Sequence, residues 1–147
     1  MTTSKGVATL QIWDTAGQEK YRALAPMYFR SAGVAIVCFD VTNIDSFTSL
    51  DIWLNELESK APPGIPIIVA GNKIDLEDRR VIDPSNAEKY VKERNVSEYI
   101  EVSAKTGEGV DKLFEIIADI FLKQPENNKK DVAAPLPIER KEENKCC

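Results

Sequence analysis

The chain has 147 residues, 43% hydrophobic and 29% charged, which suits one globular domain with a proper core. Its net charge of −5 sets it against a nucleic-acid backbone, and the absence of histidine removes imidazole catalysis and any zinc site built on its three cysteines. No apolar run approaches the roughly 20 residues of a membrane span and no secretory signal opens the chain, so a cytosolic protein is expected unless something other than a helix anchors it.

In chain order, the first strand-like run is Leu10–Trp13, followed by the turn DTAGQ and an apolar stretch, YRALAPMYF. The runs VAIVCFDV (34–41) and IPIIVAG (65–71) are nearly continuous, a pattern that predicts strands covered on both faces of a parallel sheet. Cys38 lies inside the second run and is expected to be a core thiol. Ser46–Lys60 places Phe47, Leu50, Trp53, Leu54 and Leu57 at helical spacing. Pro84–Arg94 predicts a helix capped by Asp83, with proline at the first turn. A fourth strand, Tyr99–Val102, precedes SAKTGEG, and Val110–Leu122 carries an apolar face with helical period. Strands alternating with helices predict an α/β domain with parallel connections. After Gln124 the composition turns to proline, asparagine and charge with little to bury, so residues 125–147 are expected to be a disordered tail and residues 1–124 the domain.

Ligands of doubly wound α/β domains sit at the carboxyl ends of the strands, where DTAGQ, GNKID and SAK fall here. Taken singly each has an ordinary reading: a capped turn with a glycine corner, a strand-to-helix loop, an uninformative tripeptide. Together and in this order they are far more specific.

On these motifs the chain resembles the Ras superfamily of small GTPases, most closely its Rab branch. LAPMYFR (24–30) and the terminal Cys-Cys are similar to Rabs of the endosomal type. The resemblance implies a P-loop-NTPase-like doubly wound sheet and a GTP/GDP switch with Mg²⁺ in vesicle traffic. It implies that Asp75 accepts two hydrogen bonds from guanine, rejecting adenine by about 10⁴-fold or more. Asn72 would tie the loops together and reach the base, the Lys73 stem would cover its ring, and Ser103, Ala104 and Lys105 would complete the base site, with the Ala104 N–H donating to the 6-oxygen. On the phosphate side, Asp14 would hold Mg²⁺ through water, Thr15, Ala16 and Gly17 would lie against the phosphates, and Gln18 would orient the attacking water.

The same resemblance implies that Tyr21, Leu24, Met27, Tyr28 and Phe29 form the second switch, which meets regulators and effectors. The ordinary reading of these apolar residues is a helix packed on the sheet. Cys146 and Cys147, otherwise a pair of exposed thiols, would carry geranylgeranyl groups added by the prenylation machinery. Two chains give stable anchoring to the cytoplasmic face of endomembranes where one is marginal, and the unmodified chain would stay cytosolic.

No G-x-x-x-x-G-K-[ST] motif occurs anywhere in the sequence, and the family's first-switch threonine has no counterpart. The chain therefore resembles a Rab domain without its first strand, phosphate loop, first helix and first switch, and is expected to begin at an internal methionine. Phosphate affinity should fall severely. The neighbouring strands should leave apolar surface wet, unless Leu10–Trp13 shifts across to pair with Val34–Val41. Residues 1–3 and 7–13 could keep the stub of a hairpin. Two rivals to a nucleotide switch are a nucleotide-independent interaction module and an ATP- or metabolite-using enzyme, the latter disfavoured by NKID and the lack of histidine.

Overall fold

The structure, a computed structural model, describes residues 2–3, 6–15 and 29–123. Strands β1 (Thr2–Thr3) and β2 (Gly6–Val7) form a short antiparallel pair, Thr2 opposite Val7. The main sheet is parallel, in the order β3 (Ala35–Asp40), β4 (Ile67–Asn72), β5 (Glu98–Val102). The register runs Ala35–Ile67 to Asp40–Asn72 on one side of β4 and Ile68–Glu98 to Asn72–Val102 on the other. Parallel strands require crossover connections, and here these are helical. Helices α1 (Ile44–Thr48) and α2 (Leu50–Lys60) join β3 to β4. A 3₁₀ segment (Ile74–Arg79) and α3 (Pro84–Glu93) join β4 to β5, and α4 (Val110–Lys123) follows.

Side chains alternate across the sheet and divide the core in two. On one face Val37, Phe39 and Val69 pack with Leu50, Leu54 and Leu57 of α2 and Ala87 and Val91 of α3. On the other, Ile68, Ala70, Ile100 and Val102 pack with Leu113 and Ile117 of α4. Burying each of these leucines contributes about 1.5–3 kcal/mol before entropy is set against it. Tyr90 of α3 donates to Asp51 of α2 at 2.9 Å, and Arg94 donates to Asn55 at 2.8 Å, which locks the two helices together. Burial and the Asp51 carboxylate push the Tyr90 phenol up to about 12.

The sequence reading is corrected at several points. Leu10–Trp13 forms no strand and does not pair with β3. Leu10 packs against the core on the α4 face, but Ile12 is 69% and Trp13 53% exposed. An apolar run becomes a strand only where a neighbour offers a ladder, and this one has none. The expected hairpin stub is present but contracted to the two-residue strands β1 and β2. Cys38 is exposed, not a core thiol. It points to the face that α4 covers only under β4 and β5, so among the described residues β3 is covered on one face and β4 on both. The sheet around its sulfur, and then the Asp14 carboxylate, raise its pKa. The helix expected over Ser46–Lys60 starts earlier and divides at Ser49, because Asn43 caps it by accepting from the Asp45 and Ser46 N–H groups. The cap expected for the next helix is present: Asp83 caps α3 through the Ser85 N–H, with Pro84 at its first turn.

Candidate functional site

At the carboxyl end of β4 the chain must turn sharply from strand to 3₁₀ helix. Asn72 stabilises that turn: its Oδ1 accepts from the Lys73 N–H at 2.7 Å and from the Ala104 N–H at 3.0 Å. One side chain thus holds its own turn and the loop that follows β5. Lys73 takes φ 71°, a left-handed conformation uncommon for a residue with a side chain and worth noting where it occurs.

The turn delivers Asp75 to the second loop. Ser103, fully buried, donates its hydroxyl to Asp75 Oδ1 at 2.7 Å and accepts the Thr106 N–H at 3.1 Å. Lys105 Nζ lies 3.7 Å from Asp75 Oδ2. The carboxylate is thereby aimed, while each oxygen keeps a lone pair for a further donor. The loop closes through Gly107 N–H to Ser103 O at 2.8 Å and Ser103 N–H to Glu108 O at 2.9 Å. Gly109, at φ 72°, is obligatory: a Cβ there would lie 2.3 Å from the Glu101 carbonyl oxygen.

All six residues assigned to base recognition are brought together: Asn72, Lys73 and Asp75 from one loop, Ser103, Ala104 and Lys105 from the other. The Ala104 N–H is engaged by Asn72, so an incoming carbonyl oxygen must share or displace that bond.

Sequence reasoning missed three participants. Asp40, ending β3, accepts from Lys73 Nζ at 2.6 Å and from the Thr42 N–H and hydroxyl at 2.8 and 2.7 Å. Burial opposes its charge, but the bonds from Lys73 and Thr42 outweigh it and hold the carboxyl below its usual range. Arg80 and Glu101 form a two-armed pair between the end of the 3₁₀ segment and β5. Tyr99 donates to the same carboxylate at 2.9 Å, and burial, then Glu101, raise its phenol pKa. The available signal was a lone charge at the end of an apolar strand (VAIVCFD) and another inside β5. Beside the site, Asp40, Thr42, Ile44, Lys73, Arg79 and Val81 line an open cleft of about 430 Å³.

The phosphate side is different. Asp14 and Thr15 are exposed at the end of the extended segment. Among the described residues no group of three metal-ligating side chains occurs. Ala16, Gly17, Gln18, Tyr21, Leu24, Met27, Tyr28, Cys146 and Cys147 lie outside the described residues. Of the second-switch candidates Phe29 is described, half-buried against the core on the α2 and α3 face.

Comparison with known proteins gives the family. The Ras family matches residues 1–123. The chain is similar to the GTP-binding protein ypt5 of Schizosaccharomyces pombe, 50% identical over 74% of this chain and 52% of that protein. It is similar to the Ras-related protein Rab-5A of Dictyostelium discoideum, 41% identical over 93% of this chain and 70% of that protein. The Ras-related protein RHN1 of Nicotiana plumbaginifolia is 40% identical over 87% of this chain and 64% of its own length. The chain therefore spans about half the length of the first of these relatives.

Proposed function

The chain belongs to the Ras family, as a Rab-type small GTPase, and from that premise we propose that it reads guanine nucleotides as part of a GTP/GDP switch in vesicle-mediated membrane traffic. The observation that carries this reading is the Asp75 carboxylate, oriented by Ser103 and Lys105 while Asn72 fixes the Ala104 loop beside it. Guanine offers two donors on one edge to such a carboxylate. Adenine presents an unprotonated ring nitrogen and no 2-amino group, leaving the carboxylate unpaired.

The triphosphate is held less well. Phosphate cradles depend on backbone N–H groups of a glycine-rich loop with its lysine and hydroxyl, and residues 1–147 contain no such motif. Within this polypeptide we assign Asp14, Thr15, Ala16 and Gly17 to the phosphate side, Asp14 approaching Mg²⁺ through water. Gln18 has the residue type that orients a hydrolytic water. Nucleotide affinity of the 147-residue chain is accordingly low.

The remaining assignments follow from the same membership. Tyr21, Leu24, Met27, Tyr28 and Phe29 meet regulators and effectors. Residues 125–147 form a tail whose Cys146 and Cys147 take two geranylgeranyl groups, holding the protein on the cytoplasmic face of endosomal or vesicle membranes. Five Lys/Arg (129, 130, 140, 141, 145) balance five Asp/Glu (126, 131, 139, 142, 143) in that tail, so lipid chains and not surface charge must supply the hold.

A second reading is a nucleotide-independent interaction module that occupies Rab partners. It is favoured by the apolar surface at Val7, Ile12 and Ile36, 73%, 69% and 37% exposed. Thermal-shift measurements with GTP, GDP and ATP separate the two. Stabilisation by guanine nucleotides alone supports the switch, and no response to any nucleotide supports the module.

A further inference from the structure

Asp40 plays no part in the assignments above, yet it is a firmly held charged group beside the base-reading loops. Its Oδ1 receives both donors of Thr42, at 2.8 and 2.7 Å, and its Oδ2 faces Lys73 Nζ at 2.6 Å. A carboxylate carrying three donors has no freedom to swing. Lys73 is fixed at its other end as well, by the left-handed turn and by Asn72 accepting its N–H. Both ends of this side chain are pinned, so its four-carbon stem must run from the base loop to the end of β3. The stem is half exposed and borders an open cleft beside the base-reading loops, so it stands at the edge of the site and is not packed away in the core. A free lysine would sample many rotamers and lose them on binding, whereas a pinned one has lost them already.

We propose that Asp40 is a positioning residue for base recognition: it stretches Lys73 across the mouth of the site as an apolar wall for a planar purine, and by pairing its ammonium withholds that charge from the phosphates. The proposal rests on the guanine reading given above. The ordinary alternative is that the pair merely joins β3 to the 3₁₀ segment. Ion pairs with one partner half exposed contribute little to stability, so an anchoring role would leave the site unaffected by its loss.

The test is a double-mutant cycle on the full chain, read by NMR titration with guanosine 5′-monophosphate, a probe that needs no triphosphate grip. Asp40→Asn keeps the shape and can still accept from Thr42, but loses the charge that holds Lys73. It is expected to weaken binding roughly 3- to 10-fold. Lys73→Met keeps the apolar stem without its ammonium, and Asp40→Asn is expected to add nothing in that background. Unchanged affinity in Asp40→Asn, or an equal loss in both backgrounds, overturns the proposal. A second measurement needs no nucleotide: ¹³C relaxation of the Lys73 ε-methylene is expected to show order in the parent and mobility in Asp40→Asn, and equal mobility in both overturns it. If that difference is found while the parent binds no guanosine 5′-monophosphate, the positioning role stands and the guanine reading falls.

Discussion

Arg80 grips Glu101 through both arms of its guanidinium, at 2.9 and 3.0 Å, and so ties the end of the turn that carries Asp75 to the strand that precedes the Ser103 loop. Both side chains are largely buried, and Arg80 also bonds Glu77 at 2.8 Å and the Ile82 carbonyl at 3.2 Å. Pairing with Glu101, against the cost of burial, raises the Arg80 pKa further. Removing one partner leaves the other charged and poorly solvated. Arg80→Ala is expected to destabilise the chain by about 2–3 kcal/mol, lowering the melting temperature by roughly 6–12 °C. Calorimetric melting of the variant checks this, and an unchanged transition would show that the pair is incidental.

Two glycines separate conformation from contact. Gly107 and Gly109 both have positive φ, but a Cβ at Gly107 meets nothing within 4 Å, while one at Gly109 would lie 2.3 Å from the Glu101 carbonyl oxygen. Gly107→Ala should cost about 1 kcal/mol from the left-handed backbone alone. Gly109→Ala should cost roughly 3 kcal/mol or more, because the loop must also move. Urea denaturation of the two variants gives the ordering directly.

Ser103 links the Thr106 N–H to Asp75 through one buried hydroxyl. Ser103→Ala is expected to cost about 1–3 kcal/mol, the range for a buried donor left without its acceptor. It should also free the Asp75 carboxylate to turn. Amide exchange at Thr106 should quicken well beyond the change in global stability, and protection equal to the parent's would contradict the relay.

The Asp40 carboxyl titrates below its ordinary value of 3.8 in the folded chain, so its charged form is favoured by folding. A group lowered in this way contributes stability that is fully present above the unfolded pKa and disappears as pH falls through the folded one. The stability difference between the parent and Asp40→Asn should therefore be constant near neutrality and shrink below about pH 4. Melting curves across that interval test the sign, and a gap that widens in acid would refute it.

Ile12, 69% exposed, touches too little to matter for folding. Ile12→Ser should change stability by no more than about 0.5 kcal/mol. It should lower binding of a hydrophobic dye such as anilinonaphthalene sulfonate, which reports apolar surface. A large loss of stability instead would mean that the segment 10–13 is packed after all.

The two loops proposed for base recognition were legible in the sequence because they are written in short contiguous motifs: Asn72, Lys73 and Asp75 lie on one turn, and Ser103, Ala104 and Lys105 on another. The helices were legible through period and caps, Asp83 and Pro84 most clearly. Leu10–Trp13 misled because apolar content says a segment wants burial without saying whether a partner exists. Cys38 misled for a related reason: VAIVCFDV cannot reveal that, among the described residues, the helix layer on one side stops short of β3. Asp40, Arg80 and Glu101 were invisible because a single charge carries no mark of the distant residue it will meet.

The main sheet, as described, ends at β3. The Ala35 and Val41 N–H groups bond toward β4, so in a parallel ladder those of Ile36 and Cys38 are directed outward, along a margin whose side chains are themselves exposed. A margin of that kind is indiscriminate: it accepts any extended peptide, including another copy of itself. Handling of the isolated polypeptide will thus be governed by concentration and by whatever shields this strand, long before nucleotide chemistry becomes the limiting concern.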